Sequence, residues 1–154
     1  KVPYAAPYHH FKGKADLLAA VAAAGFEQMV AAIEREIQSL NPPTALDQLR
    51  AVGRGYVLFA AQQPTVFRLM FRPELTRPAE HPLLLQAEAR AYGFLHHTIL
   101  AAQRAGQLRG PDPRPYAAFA WSGVHGLAML HVDQVLEDLL DQLNAMCVAG
   151  LAHS

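Results

Sequence analysis

Cysteine occurs once, at Cys147, so no internal disulfide can staple this chain, and the lone thiol fits a reducing cytoplasm. Net charge is also missing. Thirteen basic side chains face 13 acidic ones, leaving no overall electrostatic footprint for nucleic acid. The strand-favouring residues Ile, Val and Thr are sparse beside Ala and Leu, and no alternating apolar pattern is long enough for a strand. There is no His-Glu-x-x-His, no cysteine pair, no glycine-rich phosphate loop and no serine elbow. Eight histidines invite a search for a metal site, but none stand at the i, i+4 spacing that puts two ligands on one helix face. His9-His10 and His96-His97 are adjacent, so their rings diverge by about 100° around a helix. No metal or cofactor is therefore expected, and a catalytic role finds no constellation to carry it. No signal-peptide pattern is visible either, although a chain that opens on Lys is expected to have lost its true start.

What is present is apolar material for a core. The 154 residues are 52% hydrophobic and suit a single helical domain. From Pro115 to Val132, 18 residues carry no Asp, Glu, Lys or Arg, near the lower limit for a membrane span. That stretch also holds Ser122, Gly123, His125, Gly126 and His131, and no second such segment accompanies it. It reads as a helix buried among neighbours, not as a membrane anchor.

Proline and glycine clusters divide the chain into helices. Pro3 to about His9 reads as a short helix. From Lys14 to about Leu40, apolar residues recur at Leu18, Val21, Ala22, Phe26, Met29, Ile33 and Ile37, the stripe of a long amphipathic helix. Asn41-Pro42-Pro43 stops it. Thr44, with Asp47 three residues on, reads as the cap of a helix running to about Gln62. Pro64 opens a short helix, and the proline-rich stretch from Arg72 to Pro82 reads as a loop. A long helix follows from about Leu83 to Ala105 and ends at Gly106. After the connector Gly110–Pro115, the last two helices run from about Tyr116 to His131 and from about Asp133 to Leu151.

Some side chains cluster with chemical meaning. Phe26, Met29, Tyr56, Phe59, Phe67, Met70, Phe71, Tyr92, Phe94, His96 and Trp121 are the aromatics, methionines and histidine that helix bundles use to line ligand cavities, and Gly53, Gly55 and Gly93 would leave room among them. Tyr56, Tyr92, His96 and His125 are the polar groups placed to orient a ligand, although each is individually more common as a satisfied core residue. On the last helix Leu136, Leu139, Leu140, Leu143, Met146 and Cys147 form an apolar stripe, where Cys147 reads as inert packing. The stretch from Tyr8 to Leu18 looks like the end of one helix, a tight turn and the start of a long one. Lys1, Lys12 and Lys14 all precede the first acid, Asp16, so the basic end is the N-terminal end. A lysine in a first helical turn opposes the helix dipole, which an anion such as a phosphate would offset.

Two motifs carry a resemblance. Tyr8, His10, Phe11, Lys14 and Leu17 match the Tyr-x-His-Phe-x-x-Lys-x-x-Leu pattern at which the DNA-reading helix of a TetR-family repressor joins its regulatory body. Trp121-Ser122-Gly123-Val124-His125-Gly126-Leu127 resembles the Trp-x-x-Val-His-Gly segment of one TetR C-terminal class. One position departs, since Pro7 stands where the family has an aliphatic residue. The resemblance implies an all-α bundle, with residues 1–13 the end of a helix-turn-helix and residues 14–154 a ligand-binding and dimerisation domain. It assigns phosphate contacts to Tyr8, His10 and Lys14 and base contacts to the neighbourhood of Tyr4, Ala5 and Ala6. Phe11 would seat the small domain on the body. It also implies a homodimer through Val124, Leu127, Leu136, Leu139, Leu140, Leu143 and Met146. The pocket residues would be Phe26, Met29, Tyr56, Phe59, Phe67, Met70, Tyr92, His96, Trp121 and His125.

The expected function is that of a ligand-responsive repressor. A small apolar molecule would shift the Lys14–Leu40 helix, about 40 Å long, and so change the spacing of two reading helices that must match half-sites about 34 Å apart. Operator DNA would require the helices that precede Lys1. The rival reading is a helical carrier with no DNA role.

Overall fold

The computed structural model describes residues 11–135 and 140–153, with the side chains of 140–144, 147 and 153 outside the description. The predicted contacts at Tyr4, Ala5, Ala6, Tyr8 and His10 therefore lie outside the described residues, as do those at Leu136 and Leu139. Leu140 and Leu143 are described in backbone only. Every regular element among the described residues is helical, as the scarcity of β-branched residues implies.

Helix α1 spans Lys14–Gln38, α2 Ala45–Gln62, α3 Pro64–Met70 and α4 Pro73–Thr76. A single 3-10 turn at Pro78–Glu80 leads into α5, Pro82–Arg104, and then come α6, Arg114–Val132, and α7, Leu140–His153. Local chemistry accounts for the boundaries. Asp16 reaches back to accept from the Lys12 backbone N–H at 2.8 Å, tying the entry to α1. Thr44 and Asp47 form a reciprocal capping box, the Thr44 hydroxyl accepting from the Asp47 N–H and the Asp47 carboxylate accepting from the Thr44 N–H, both at 3.1 Å. Gly106, at φ 70°, closes α5 with a Schellman turn: its own N–H donates to the Gln103 carbonyl, and that of Gln107 to the Ala102 carbonyl.

Two expectations need correcting. The Arg72–Pro82 stretch is not an open loop, because Pro73 and Pro78 each sit at the start of a short helical turn, where a missing N–H is harmless. The last helix does not begin at Asp133. Gln134 takes the left-handed conformation at φ 59°, and the N–H groups of Gln134 and Val135 fold back onto the carbonyls of His131 and Leu130. That turn ends α6, and Arg68 of α3 reinforces it by donating to the Val132 carbonyl and the Asp133 carboxylate, both at 2.7 Å.

The main core lies between α1, α2, α3, α5 and α6 and includes Phe26, Met29, Ile33, Tyr56, Phe59, Phe67, Met70, Leu84 and Ala128. A smaller core joins Leu49, Ile99, Ala117, Val148 and Leu151 at the other end of the bundle. Helix α1 packs most extensively on α2 and α5. Its contact with α2 is as close as backbones allow: a Cβ on Gly55 would stand 2.6 Å from the Ile33 Cα. Among the described residues, the one helix long and apolar enough to cross a membrane is α1, and not the Pro115–Val132 stretch. Its apolar stripe is spent inside the bundle, with Ala22, Phe26, Met29, Val30 and Ile33 buried. Leu17 and Val21, near its N-terminal end, are exposed.

Candidate ligand-binding site

Every helix from α1 to α7 contributes to one cavity of about 390 Å³, a size within the range of ligand pockets. Helical periodicity decides which side chains reach it. Helix α2 offers Leu49, Val52, Gly53 and Tyr56, and α5 offers Glu88, Ala91, Tyr92 and Leu95. Both sets follow the i, i+3, i+4, i+7 spacing of a single helix face. Helix α1 adds Phe26, Met29 and Ile33, and α3 with the turn after it adds Met70 and Phe71. Helix α6 adds Ala120, Trp121 and Val124, while α7 closes the far end with Val148 and Leu151. Tyr92 and Trp121 are 46% and 41% exposed while lining the cavity, so they stand at its mouth.

Of the predicted pocket residues, Phe26, Met29, Tyr56, Met70, Tyr92 and Trp121 line this space. The other four do not. Phe59, one turn past Tyr56, is buried in the core beyond the cavity. Phe67 is fully buried behind it, its ring edge-on to Tyr56 at 5.4 Å and to Phe71 at 5.2 Å. His96 follows the pocket-facing Leu95 by one residue, and that rotation carries it toward the connector, where it lies in electrostatic reach of Asp112. His125 sits one layer back, packed against Phe71 at 4.5 Å and Trp121 at 5.8 Å.

His125 nevertheless shapes the site. Its Nδ1 lies 2.7 Å from the Tyr56 hydroxyl, within hydrogen-bond distance. In the neutral tautomer protonated on Nε2, His125 Nδ1 accepts and the Tyr56 hydroxyl donates. Burial holds the His125 pKa below its ordinary value, favouring the neutral ring this network needs. Burial likewise pushes the Tyr56 phenol up, so Tyr56 stays un-ionised. The Tyr56–His125 pair is thus a polar seam in one wall with the Trp121 ring packed against His125, and both Trp121 and His125 come from the Trp-x-x-Val-His-Gly segment. Thr76, also in the wall, is satisfied by donating to the Arg72 carbonyl at 3.1 Å. Glu88 is the one lining residue with a formal charge, and burial raises its pKa.

The pocket residues that sequence reasoning missed, among them Ile33, Leu49, Val52, Glu88 and Leu95, carry a signal only in retrospect. They share helix faces with residues it found, but aliphatic side chains on a core face do not advertise a void. Among the described residues no cluster of His, Cys, Asp and Glu is placed to hold a metal ion.

The predicted dimer residues divide. Val124 does not face outward: at 8% exposure it belongs to the core and the cavity wall. Leu127 is half-buried, and Met146 is 68% exposed. The outer face of α6 instead presents Phe119, Ser122, Gly126 and Leu130, a stripe of helical spacing with small residues at its centre. Lys14 opens α1 and is exposed.

An all-helical bundle around one largely apolar cavity is thus the class of architecture. The sequence pattern of the tetracycline repressor-like C-terminal domain matches residues 49–152, two thirds of the chain, and the protein belongs to that family of regulators. A structure titled as a protein with unknown function from Rhodococcus sp. RHA1 is similar at 25% identity and a TM-score of 0.82, over 99% of this chain and 78% of that one. No curated protein matches.

Proposed function

We propose that this protein is a ligand-responsive, DNA-binding transcriptional repressor in which a small, largely apolar molecule occupies the cavity and alters operator binding. The observation that carries this reading is the shared wall. The long helix α1, which begins at Lys14 within the motif resembling a DNA-domain junction, supplies Phe26, Met29 and Ile33 to the cavity. A ligand that binds one position of α1 better than another shifts that helix and whatever precedes it. Residues 1–13 would be the end of a helix-turn-helix, with Tyr8, His10 and Lys14 on phosphates and Tyr4, Ala5 and Ala6 near bases, and residues 14–154 the sensing and dimerising domain.

Homodimerisation is part of the proposal. On α6 the exposed Phe119, Ser122 and Leu130, with half-buried Gly126 at the same helical spacing, offer apolar surface with small residues where a partner helix would approach closely, and Val135 and Met146 are exposed as well. A Cβ at Gly126 would meet nothing within 4 Å in the single chain, so nothing within the described fold requires glycine there. The reading is of a binding protein and not an enzyme, since the Tyr56–His125 pair is held in a wall by neighbouring rings.

The test is fluorescence anisotropy of the protein, with the helices expected to precede Lys1, against DNA from upstream of its own gene at two salt concentrations. Tight binding that weakens steeply with salt yet resists competitor DNA is expected. Weak, sequence-indifferent binding would instead favour a helical carrier with no DNA role.

A further inference from the structure

The charge inside the cavity is one-sided. Its lining is apolar or neutral except for Glu88, which stands on the same face of α5 as Tyr92, four residues on. Among the described residues Glu88 has no hydrogen-bond or ion-pair partner. Four arginines of the surrounding elements are engaged elsewhere, Arg54 with Glu36 at 2.9 Å, Arg68 with Asp133 at 2.7 Å, Arg72 with Glu74 at 3.4 Å and Arg77 with Glu80 at 3.7 Å, and Arg90 of α5 lines a separate groove with Asp16 and Glu27. A half-buried carboxylate held among apolar groups is stabilised by whatever brings it a positive charge. The cavity also supplies aromatic faces, from Phe26, Phe71, Tyr92 and Trp121, and such faces attract cations.

We propose that the ligand class of this cavity is an organic cation, an aromatic or aliphatic body bearing an amine or quaternary ammonium, with the charge held by the Glu88 carboxylate and the aromatic rings and the body by the apolar wall. This rests on the reading of the cavity as a small-molecule site and adds the sign of charge its ligand carries. Neutral apolar molecules fit the wall but leave Glu88 unpaired. Anions are repelled.

The probe is a matched pair, (biphenyl-4-ylmethyl)trimethylammonium and its uncharged carbon isostere 4-neopentylbiphenyl, which differ in charge and scarcely in shape. Trp121 is the chain's one tryptophan and lines the cavity, so its emission reports binding directly. The unmutated protein is expected to bind the cation about tenfold more tightly than the isostere (~1.4 kcal/mol). In Glu88→Gln, which keeps the side chain's size, that ratio is expected to fall toward one, and an unaltered helical circular dichroism spectrum certifies folding. Equal binding of the two probes by the unmutated protein, or a preference that survives Glu88→Gln, overturns the cation proposal and leaves the small-molecule site standing. Binding of neither probe overturns both.

Discussion

Among the described glycines, the tightest surroundings give the sharpest test. Gly55 of α2 lies against the backbone of α1, where a Cβ would meet the Ile33 Cα at 2.6 Å and the Ile33 N at 2.8 Å, with the Ala32 carbonyl carbon at 3.1 Å. Ordinary contact begins at 3.4 Å, so in Gly55→Ala the two helices must part by roughly an ångström at their crossing, losing dispersion contacts along both. The neighbour is helix backbone and not the end of a flexible side chain, so the cost belongs at the upper end for overpacking, about 3 kcal/mol. Alanine returns about 1 kcal/mol of helix propensity. The net loss of about 2 kcal/mol corresponds to a fall of about 4–8 °C in thermal midpoint for a chain of this length. Gly93 is the control. It also lies inside a helix, yet a Cβ there would meet nothing within 4 Å, so Gly93→Ala is expected to gain up to about 1 kcal/mol. Differential scanning calorimetry on the two variants reads opposite signs from one chemical change. An unchanged or raised midpoint in Gly55→Ala would refute the claim that α1 is locked to α2 backbone-on-backbone.

Tyr56→Phe removes the hydroxyl that His125 Nδ1 bonds, leaving that ring nitrogen short of a partner, and is expected to cost about 1–3 kcal/mol in denaturant unfolding. No loss would mean the polar seam contributes nothing. Because burial lowers the folded-state pKa of His125 below 6.5, the unfolded chain binds the extra proton first, so His125 favours folding above pH 6.5 and its contribution is lost as pH falls through the folded value. Thermal midpoints on either side of pH 6.5 should therefore converge in His125→Gln relative to the unmutated protein, and an equal slope in both would exclude His125 as the source. Thr44→Ala breaks the capping box and should cost about 1 kcal/mol of stability by the same unfolding assay. Finally, Phe119→Glu with Leu130→Glu should halve the mass seen by light scattering after size exclusion, whereas an unchanged dimer would move the interface away from the outer face of α6.

Much of this molecule can be read without coordinates, because its local signals are strong. The heptad-like run through Phe26, Met29 and Ile33 marks α1, Thr44 with Asp47 marks the start of α2, and Gly106 marks the end of α5. Each acts through neighbours within a turn or two, so the chain's order alone specifies it. The Trp-x-x-Val-His-Gly segment pointed to the family in the same way, and the match over residues 49–152 agrees. What depends on helix packing was not legible. Whether Phe59 or Leu49 faces the void, whether Val124 points inward or outward, and whether His96 or Leu95 lines the wall turn on rotations of about 100° per residue about axes that only the bundle sets. A left-handed Gln134 ended α6 where sequence alone began another helix, since no glycine announced the turn. The role of Glu88 is the clearest case: in sequence it is one acid among 13, and only the closing of seven helices around it makes it the sole charge in an apolar cavity.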